Sequence, residues 1–541
     1  MLKSITSGLR RVFKSDAQDD DENQGRFSEI LKWAEENNIG EDRIPREPSE
    51  LIGLNRLDLS FRRLQSLPET LGELALLTEL DLRGNELKSL PASIGDLSLL
   101  RRLDLKWNQL ETLPDSFAKL TGLTKLELGY NKMTSLPEVL TAFSHITELD
   151  LSDNRLLRVP LFLGNFTRLT KLNLARNKLE NLPPVCANLT QLTRLNLSGN
   201  ELKQLPDFIA NFSQLSELEI SGNQLGSLPE YIGRLKELHH LDISGNMLTT
   251  LPETLGDLQN LSILDIHNNR LTSLPANFGN LGQLHRLSLA HNQLSLLPPP
   301  TAQMQRLAVL DLSHNRLMQL PNFICHFSHL NDLHLGYNEL TELPDDIGLL
   351  TELEVLNIAH NNIGALPPSV ANLTKMTRLD LSSTQIPYLP KFISNLNRLC
   401  ILDVRNTRMK IPLALANRIE SMRDGSTLAA SELYKEAWEW LKQRGCAELV
   451  SPALLERYAV SAARWIHCEE AVSKYGYLGK HPISSQPIQS PYVAMSQNYM
   501  KQTNRLWNEI FAIVRDNCST EYKGVSPQDD LMERLLRSRR G

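Results

Sequence analysis

The sequence predicts an α/β solenoid of about 16 turns with a parallel concave sheet, followed by a small all-α domain. The first observation behind this prediction is that asparagine recurs every 23 residues from Asn85 to Asn361. The same spacing reaches Arg62 at one end and Thr407 at the other, which makes 16 equally spaced positions. The second observation is that this spacing stops after about residue 410. A fixed period of this length is typical of stacked repeats, and we number the turns 1 to 16 by their asparagine position.

Composition excludes several other classes of protein. The chain of 541 residues has 57 Lys plus Arg against 63 Asp plus Glu, a net charge of −6, so it is no polybasic nucleic-acid coat. Apolar residues make up 41%, too many for a disordered chain. Six scattered cysteines without a C-x-x-C pair favour a reducing, cytoplasmic setting. No apolar run approaches the length of a membrane span.

The N-terminal residues precede the repeats. Residues 1–25 are basic and then acidic, which predicts a flexible tail, although residues 1–14 could also form a weak membrane-surface helix. Residues 26–50 contain apolar positions at helical spacing and are expected to form a helical cap on the first turn. The regular repeats then occupy residues 51–410.

Each turn follows the pattern L-x-x-L-x-L-x-x-N-x-L-x-x-L-P. The L-x-L segment alternates with period 2, so it predicts a short strand with one buried face. The asparagine amide is expected to bond backbone groups of neighbouring turns. The proline predicts an extended bend, and the [I/L/F]-G-x-L that follows in many turns, as at Ile94–Leu97, favours a short helical turn on the convex side.

These residues resemble the leucine-rich repeat family, in its 23-residue bacterial and plant-intracellular subclass. The resemblance covers residues 51–410. It implies a curved solenoid that binds partners, usually proteins, on its concave strand face.

Side chains six, four and two residues before the asparagine position are expected to point outward from the concave sheet. At the middle of these three positions, 11 of the 16 residues are acidic, and the preceding position supplies cations such as Arg102 and Lys125. One interpretation is a self-neutralising charge lattice that keeps a long sheet soluble. The other is an acidic groove for a basic partner.

Charges become sparse toward the C-terminal half of the array, where apolar, His and Tyr residues replace them. Interface cores lose charge and gain aromatic residues, so these positions are the better candidates for protein contact; ordinary drift on a solvated sheet is the alternative. The candidates are Ile263, His291, Val309, His314, His334, Tyr337, Val355 and His360, with a second, smaller patch of Phe61, Trp107 and Tyr130.

The repeats give way to residues 411–430, a linker or C-terminal cap, and then to a helical domain over residues 431–541. Three stretches, Glu456–Gly476, Ser490–Phe511 and Ser526–Gly541, resemble the phage terminase small-subunit family. That resemblance implies a non-catalytic, often oligomeric protein that recognises phage DNA and works with a large terminase subunit. Ordinary members carry no leucine-rich repeats. The basic residues that could contact phosphates are Lys523, Arg534, Arg537, Arg539 and Arg540.

No enzyme motif is present. The phosphate-binding G-x-x-x-x-G-K-[S/T], H-E-x-x-H, G-x-S-x-G and dinucleotide-binding patterns are all absent. No metal or cofactor is expected, because the histidines lack a carboxylate or cysteine at ligand spacing. Two hypotheses follow: a scaffold that binds a protein on its concave face, and a DNA-packaging protein that acts through the C-terminal domain.

Overall fold

The computed structural model describes residues 19–298, 304–399 and 401–407, together with short stretches between residues 437 and 510. The chain divides into two compact units. The first holds residues up to Met376, and most of the residues that follow belong to the second.

The first unit begins with two helices, α1 (Asp19–Glu36) and α2 (Pro48–Ile52). The side chains of Phe27, Ile30 and Ala34 are fully buried, as their helical spacing predicts. Helix α1 starts before residue 26, the cap boundary expected from sequence. The cap is tied to the first turn by Arg43, which pairs with Asp58.

Sixteen three-residue strands form one parallel sheet in chain order. Each central leucine is buried while its two neighbours are mostly partly exposed, which confirms the alternation expected from L-x-L. Successive strands pair with a register of one repeat, as Leu103 with Leu126 shows. The strands β1 to β16 are Arg56–Asp58, Glu79–Asp81, Arg102–Asp104, Lys125–Glu127, Glu148–Asp150, Lys171–Asn173, Arg194–Asn196, Glu217–Glu219, His240–Asp242, Ile263–Asp265, Arg286–Ser288, Val309–Asp311, Asp332–His334, Val355–Asn357, Arg378–Asp380 and Ile401–Asp403.

Short 3₁₀ helices form the opposite side of the turns, as the [I/L/F]-G-x-L pattern predicts. Each follows a proline in extended conformation, for example Pro91 with φ −64° and ψ 152°. Within the described residues they are Glu69–Glu73, Ala92–Asp96, Asp115–Lys119, Glu138–Ala142, Leu161–Asn165, Pro184–Asn188, Asp207–Asn211, Glu230–Arg234, Glu253–Asp257, Ala276–Asn280, Asn322–His326, Asp345–Leu349, Pro368–Asn372 and Lys391–Asn395.

The asparagine side chains hold consecutive turns together. Asn200 is buried, and its Nδ2 donates to the carbonyl of Leu174 in the previous turn at 3.0 Å and to that of Leu197 in its own turn at 2.9 Å. Its Oδ1 accepts from the backbone N–H of Leu179 at 3.0 Å. The predicted role of the asparagine is therefore confirmed, because backbone groups that the bends leave unpaired find their partners here.

The second unit has its own apolar cluster in the region between residues 437 and 510. Tyr458 and Trp507 lie at its centre, with ring centroids 5.1 Å apart, and Ser461 and Thr503 share a buried hydrogen bond of 2.9 Å. A short antiparallel pair, β17 (Leu478–Lys480) and β18 (Pro487–Gln489), departs from the all-α expectation. Pro487 is the first residue of β18, a position at which a strand tolerates proline, whereas the interior of a helix would exclude it.

Candidate protein-binding surface

Four columns of side chains run along the inner side of the first unit. We call the residues six, four and two before the asparagine position the first, second and third columns, and the residue directly before it the rim column. Because adjacent strands lie roughly 4.8 Å apart, equivalent residues of successive turns are direct neighbours. Chemistry along each column therefore decides what the surface can bind.

The second column has a local structural role. In turn 5 a carboxylate oxygen of Asp150 accepts from the backbone N–H of Ser152 at 2.9 Å and from its hydroxyl at 2.7 Å. Asn173 accepts the equivalent backbone N–H of Ala175 at 3.1 Å. Aspartate and asparagine are interchangeable acceptors in this bend, which explains the acidic column without a basic partner.

Turns 2 to 8 form what we call the charged half. Lys106 pairs with Glu127 and lies 2.7 Å from Asp150, while Lys125 lies 2.6 Å from Glu127 and 2.9 Å from Glu148. Only 9% of the Glu127 side chain is exposed. Each ammonium thus bridges two carboxylates on neighbouring strands, so the self-neutralising lattice is present here.

The electrostatics of the charged half follow from this pairing. Burial opposes the charged form of Lys106, but hydrogen bonds to Asp150 and Glu127 outweigh it and raise the lysine pKa. Burial also raises the pKa of Asp104, with the nearby carboxylates of Glu127 and Asp81 adding to the effect. These charges are already engaged with one another, so a partner would have to break the lattice in order to use them.

Turns 10 to 14 form what we call the neutral half. Apolar and charged residues alternate along its first column. Val309, for example, lies between Arg286 on one neighbouring strand and Asp332 on the other. The predicted residues Ile263, Val309 and Val355 therefore lie on every second strand and do not touch as one apolar patch. Burial raises the pKa of Asp332, and Arg286 and His334 partly offset this effect.

Every residue of the rim column adopts the left-handed backbone conformation in all 16 turns. Four are glycines, including Gly199, Gly222 and Gly245 in three consecutive turns, whereas Trp107 (φ 59°) and Tyr337 (φ 57°) carry large side chains. This conformation costs a non-glycine residue roughly 1–2 kcal/mol. At Gly222 an added Cβ would meet nothing nearer than 3.5 Å, so the rim has space for a side chain there. The left-handed backbone conformation is then the main cost of a larger residue at this position.

Four consecutive rings of the rim column stack in the neutral half, and we call this set the ring ladder. The centroids of His291 and His314 are 3.9 Å apart, those of His314 and Tyr337 are 4.1 Å apart, and those of Tyr337 and His360 are 3.9 Å apart. The ring planes differ by only 11–12°. Each aromatic contact contributes about 0.5–1.5 kcal/mol, which offsets much of the backbone cost.

The ring ladder borders a strip with little side chain. The third-column residues before its four rings are Ala290, Ser313, Gly336 and Ala359. Among the residues that the structure describes, no hydrogen bond reaches a ring nitrogen of the three ladder histidines, and 48% of Tyr337 is exposed. The ladder thus presents polar ring edges beside a nearly flat floor.

The second predicted patch is looser. The rings of Trp107 and Tyr130 stack at 4.5 Å, and 54% of Trp107 is exposed. Phe61 is separated from them by Gly84, and its ring lies 5.9 Å from the guanidinium carbon of Arg83. The structure brings two of the three residues together.

Sequence reasoning missed the left-handed rim column and the stacking that follows from it. The glycines that alternate with rings at one fixed position were the available signal, since glycine adopts this conformation without cost. The five basic residues expected to contact DNA, Lys523, Arg534, Arg537, Arg539 and Arg540, lie outside the described residues.

Two general properties of the described part of the chain bear on function. None of its helices has both the length and the apolar character that crossing a membrane requires. Nor does it contain a group of three His, Cys, Asp or Glu side chains placed to hold a metal ion.

Comparison with family models gave three matches. A leucine-rich repeat region model matches residues 221–313 and 289–424, and a second leucine-rich repeat model matches 52–110, 112–156 and 167–225. The model of the phage terminase small subunit matches residues 430–510. A search of curated proteins found no match.

Solved structures give the same assignment for the repeats. A leucine-rich repeat protein of Leptospira interrogans is 34% identical with a TM-score of 0.65, and the match covers 69% of this chain and 96% of that one. The plant peptide hormone receptor RGFR1, in complex with RGF2, is 29% identical with a TM-score of 0.56, over 68% and 65% of the two chains. The Arabidopsis receptor kinase HAESA, in complex with the peptide hormone IDA and the co-receptor SERK1, is 28% identical with a TM-score of 0.54, over 69% of each chain.

Proposed function

The chain belongs to the leucine-rich repeat family, and we propose that it is a non-enzymatic scaffold whose concave face captures a protein partner. The contact region that we propose is the neutral half, from Ile263 and Val309 through His334 and Val355 to the ring ladder. The observation that carries this proposal is the ladder itself: stacked rings whose histidine nitrogens make no hydrogen bond to the described residues, beside a floor with few charges. Phe61, Trp107 and Tyr130 form the smaller candidate contact.

Energetics favour the neutral half over the charged half. A partner that covers Lys106 and Glu127 must desolvate ion pairs that already satisfy each other, and this desolvation opposes binding. Rings and aliphatic side chains lose little when they are covered, and aromatic residues dominate interface hot spots. The plant receptors RGFR1 and HAESA are in complex with peptide hormones, which supports a polypeptide as the class of partner.

The test begins with affinity capture on the full chain, followed by binding measurements with the purified partner. In the double variant Val309→Asp, Val355→Asp we expect the dissociation constant to rise on the order of 100-fold, since two apolar contacts become charged. Circular dichroism and thermal unfolding would verify that the variant is folded.

A matched control is available in the charged half. Arg102 lies in the same first column, between Glu79 and Lys125 on the neighbouring strands. Arg102→Asp changes the net charge by two units, as the double variant does, so an effect of charge alone would appear in both. Equal losses of affinity in the two proteins would reject the neutral half as the contact.

A second candidate function rests on the match of residues 430–510 to the phage terminase small subunit. It is DNA recognition for packaging, together with a terminase large subunit and with self-association through the C-terminal domain. The full chain and a variant with Arg537, Arg539 and Arg540 changed to Gln would be titrated with duplex DNA at several salt concentrations. Phosphate contact requires affinity that falls steeply with salt and a shallower slope in the variant; affinity that is absent or insensitive to salt would reject it.

We also propose a cytoplasmic site of action. Cys186 and Cys325 are free and buried in the repeats. Burial raises the pKa of Cys186 to about 12 and that of Cys325 to about 11, so both thiols stay protonated and unreactive. Cell fractionation tests it: recovery of the protein in the cytosolic fraction would agree with this setting, and recovery in a membrane or secreted fraction would reject it.

A further inference from the structure

The ring ladder places two imidazoles at a separation too short for two neighbouring charges, with a third imidazole two rings away from the nearer one. The imidazoles of His291 and His314 face each other at 3.9 Å, and Tyr337 separates His314 from His360. An uncharged imidazole stacks readily on another aromatic ring, whereas two imidazolium ions at this distance repel strongly. The ladder as observed is therefore the arrangement of a deprotonated site.

We propose that the ring ladder is an acid-sensitive switch on the contact surface, stacked while uncharged and forced apart when neighbouring imidazoles take up protons. The inference rests on the proposed function only in treating the ladder as a contact. A partner that binds stacked rings would be released when the stack opens.

The surroundings of His314 define how the switch responds to protons. Its ring faces His291 and Tyr337 in the stack, the carboxylate of Asp311 approaches from the second column of the same turn, and His360 lies one ring further on. Asp311 is held by Ser313, whose backbone N–H and hydroxyl donate to it at 2.9 and 2.6 Å. Desolvation, His291 and His360 lower the pKa of His314, and Asp311 opposes them.

The sign of the effect follows from linkage. A histidine whose folded-state pKa is lowered holds fewer protons when folded than when unfolded. The favourable contribution of His314 is therefore complete above its ordinary pKa of 6.5 and is lost as the pH falls below that value.

The experiment is a proton titration of the full-length protein with 13C-labelled histidine Cε1, from pH 8 to pH 5. The His314 signal is the one missing in His314→Gln. We expect its midpoint to lie below the ordinary value, to move up in His291→Phe and to move down in Asp311→Asn. His291→Phe keeps a ring in the stack and removes only the charge, while His145→Gln, far away in turn 5, should shift nothing.

A second measurement follows the stack itself. Nuclear Overhauser contacts between the rings of His291 and His314 should be present at pH 7.5 and lost at pH 5. The proposal is overturned if His291→Phe leaves the His314 midpoint unchanged, if Asp311→Asn raises it, or if the ring contacts persist after His314 is protonated. No partner is needed, so failure of this switch is distinguishable from failure of the scaffold function.

Discussion

The charged half and the neutral half share one backbone and differ only in the columns that the core leaves free. In both, leucines are buried, the asparagine ties adjacent turns and the rim is left-handed. In the charged half Lys106 bridges carboxylates, whereas in the neutral half the same rim and sheet carry stacked rings. The buried columns therefore fix the fold in both halves, while the exposed columns differ in chemistry.

The largest expected effect concerns what the two halves have in common. Asn131→Ala in the charged half and Asn338→Ala in the neutral half should each lower the free energy of unfolding by about 3 kcal/mol, because buried backbone groups lose their partners. Urea unfolding of the two variants measures this. A cost confined to one half would break the claim that their framework is shared.

The next effect should separate the halves. Lys106→Met leaves Glu127 and Asp150 without their shared cation, so we expect a loss of about 2 kcal/mol. Lys171→Met is the control, since Lys171 is more exposed and pairs with one carboxylate of the described residues, that of Glu148, and it should cost less than about 1 kcal/mol. Similar unfolding midpoints for both variants would show that the lattice does not act as a unit.

A smaller effect tests the balance between strain and stacking in the neutral half. Tyr337→Ala and Tyr337→Gly both remove two ring contacts, but glycine also relieves the left-handed backbone. The alanine variant should therefore be less stable than the glycine variant by about 1 kcal/mol. Chemical denaturation of the pair decides; an alanine variant as stable as the glycine variant would show that the rim costs nothing.

The smallest effect is a difference in pH response. The lowered pKa of His314 predicts that stability falls between pH 7.5 and 5.5, and His314→Phe should flatten this dependence. The raised pKa of Lys106 predicts a response in alkali instead. The contribution of Lys106 to stability is complete below pH 10.5 and is lost as the pH rises through the pKa of Lys106 in the folded protein. Melting temperatures across both ranges, for the wild type and for each variant, test whether the halves respond separately.

The sequence predicted the repeat framework well because the same buried leucines recur in every turn and the same asparagine in most turns. A 23-residue spacing and the L-x-L alternation were enough to assign the sheet, and the bonding of Asn200 follows from the chemistry of a buried amide. The contact surface was harder, because Arg286 and Asp332 separate Ile263, Val309 and Val355 on the sheet. Stacking depends on backbone angles and ring orientation, and its signal in the sequence was the alternation of glycines with rings at one repeat position.

The most direct test of the central claim is oxidative footprinting of the full chain with and without its captured partner. Tyr337 and Trp107 are both about half exposed in the free protein, one in each half, so each reports on its own surface. Binding at the neutral half predicts that the oxidation rate of Tyr337 falls severalfold in the complex. If Tyr337 is oxidised as fast as in the free protein while Trp107 is protected, the contact lies in the charged half and the account is contradicted.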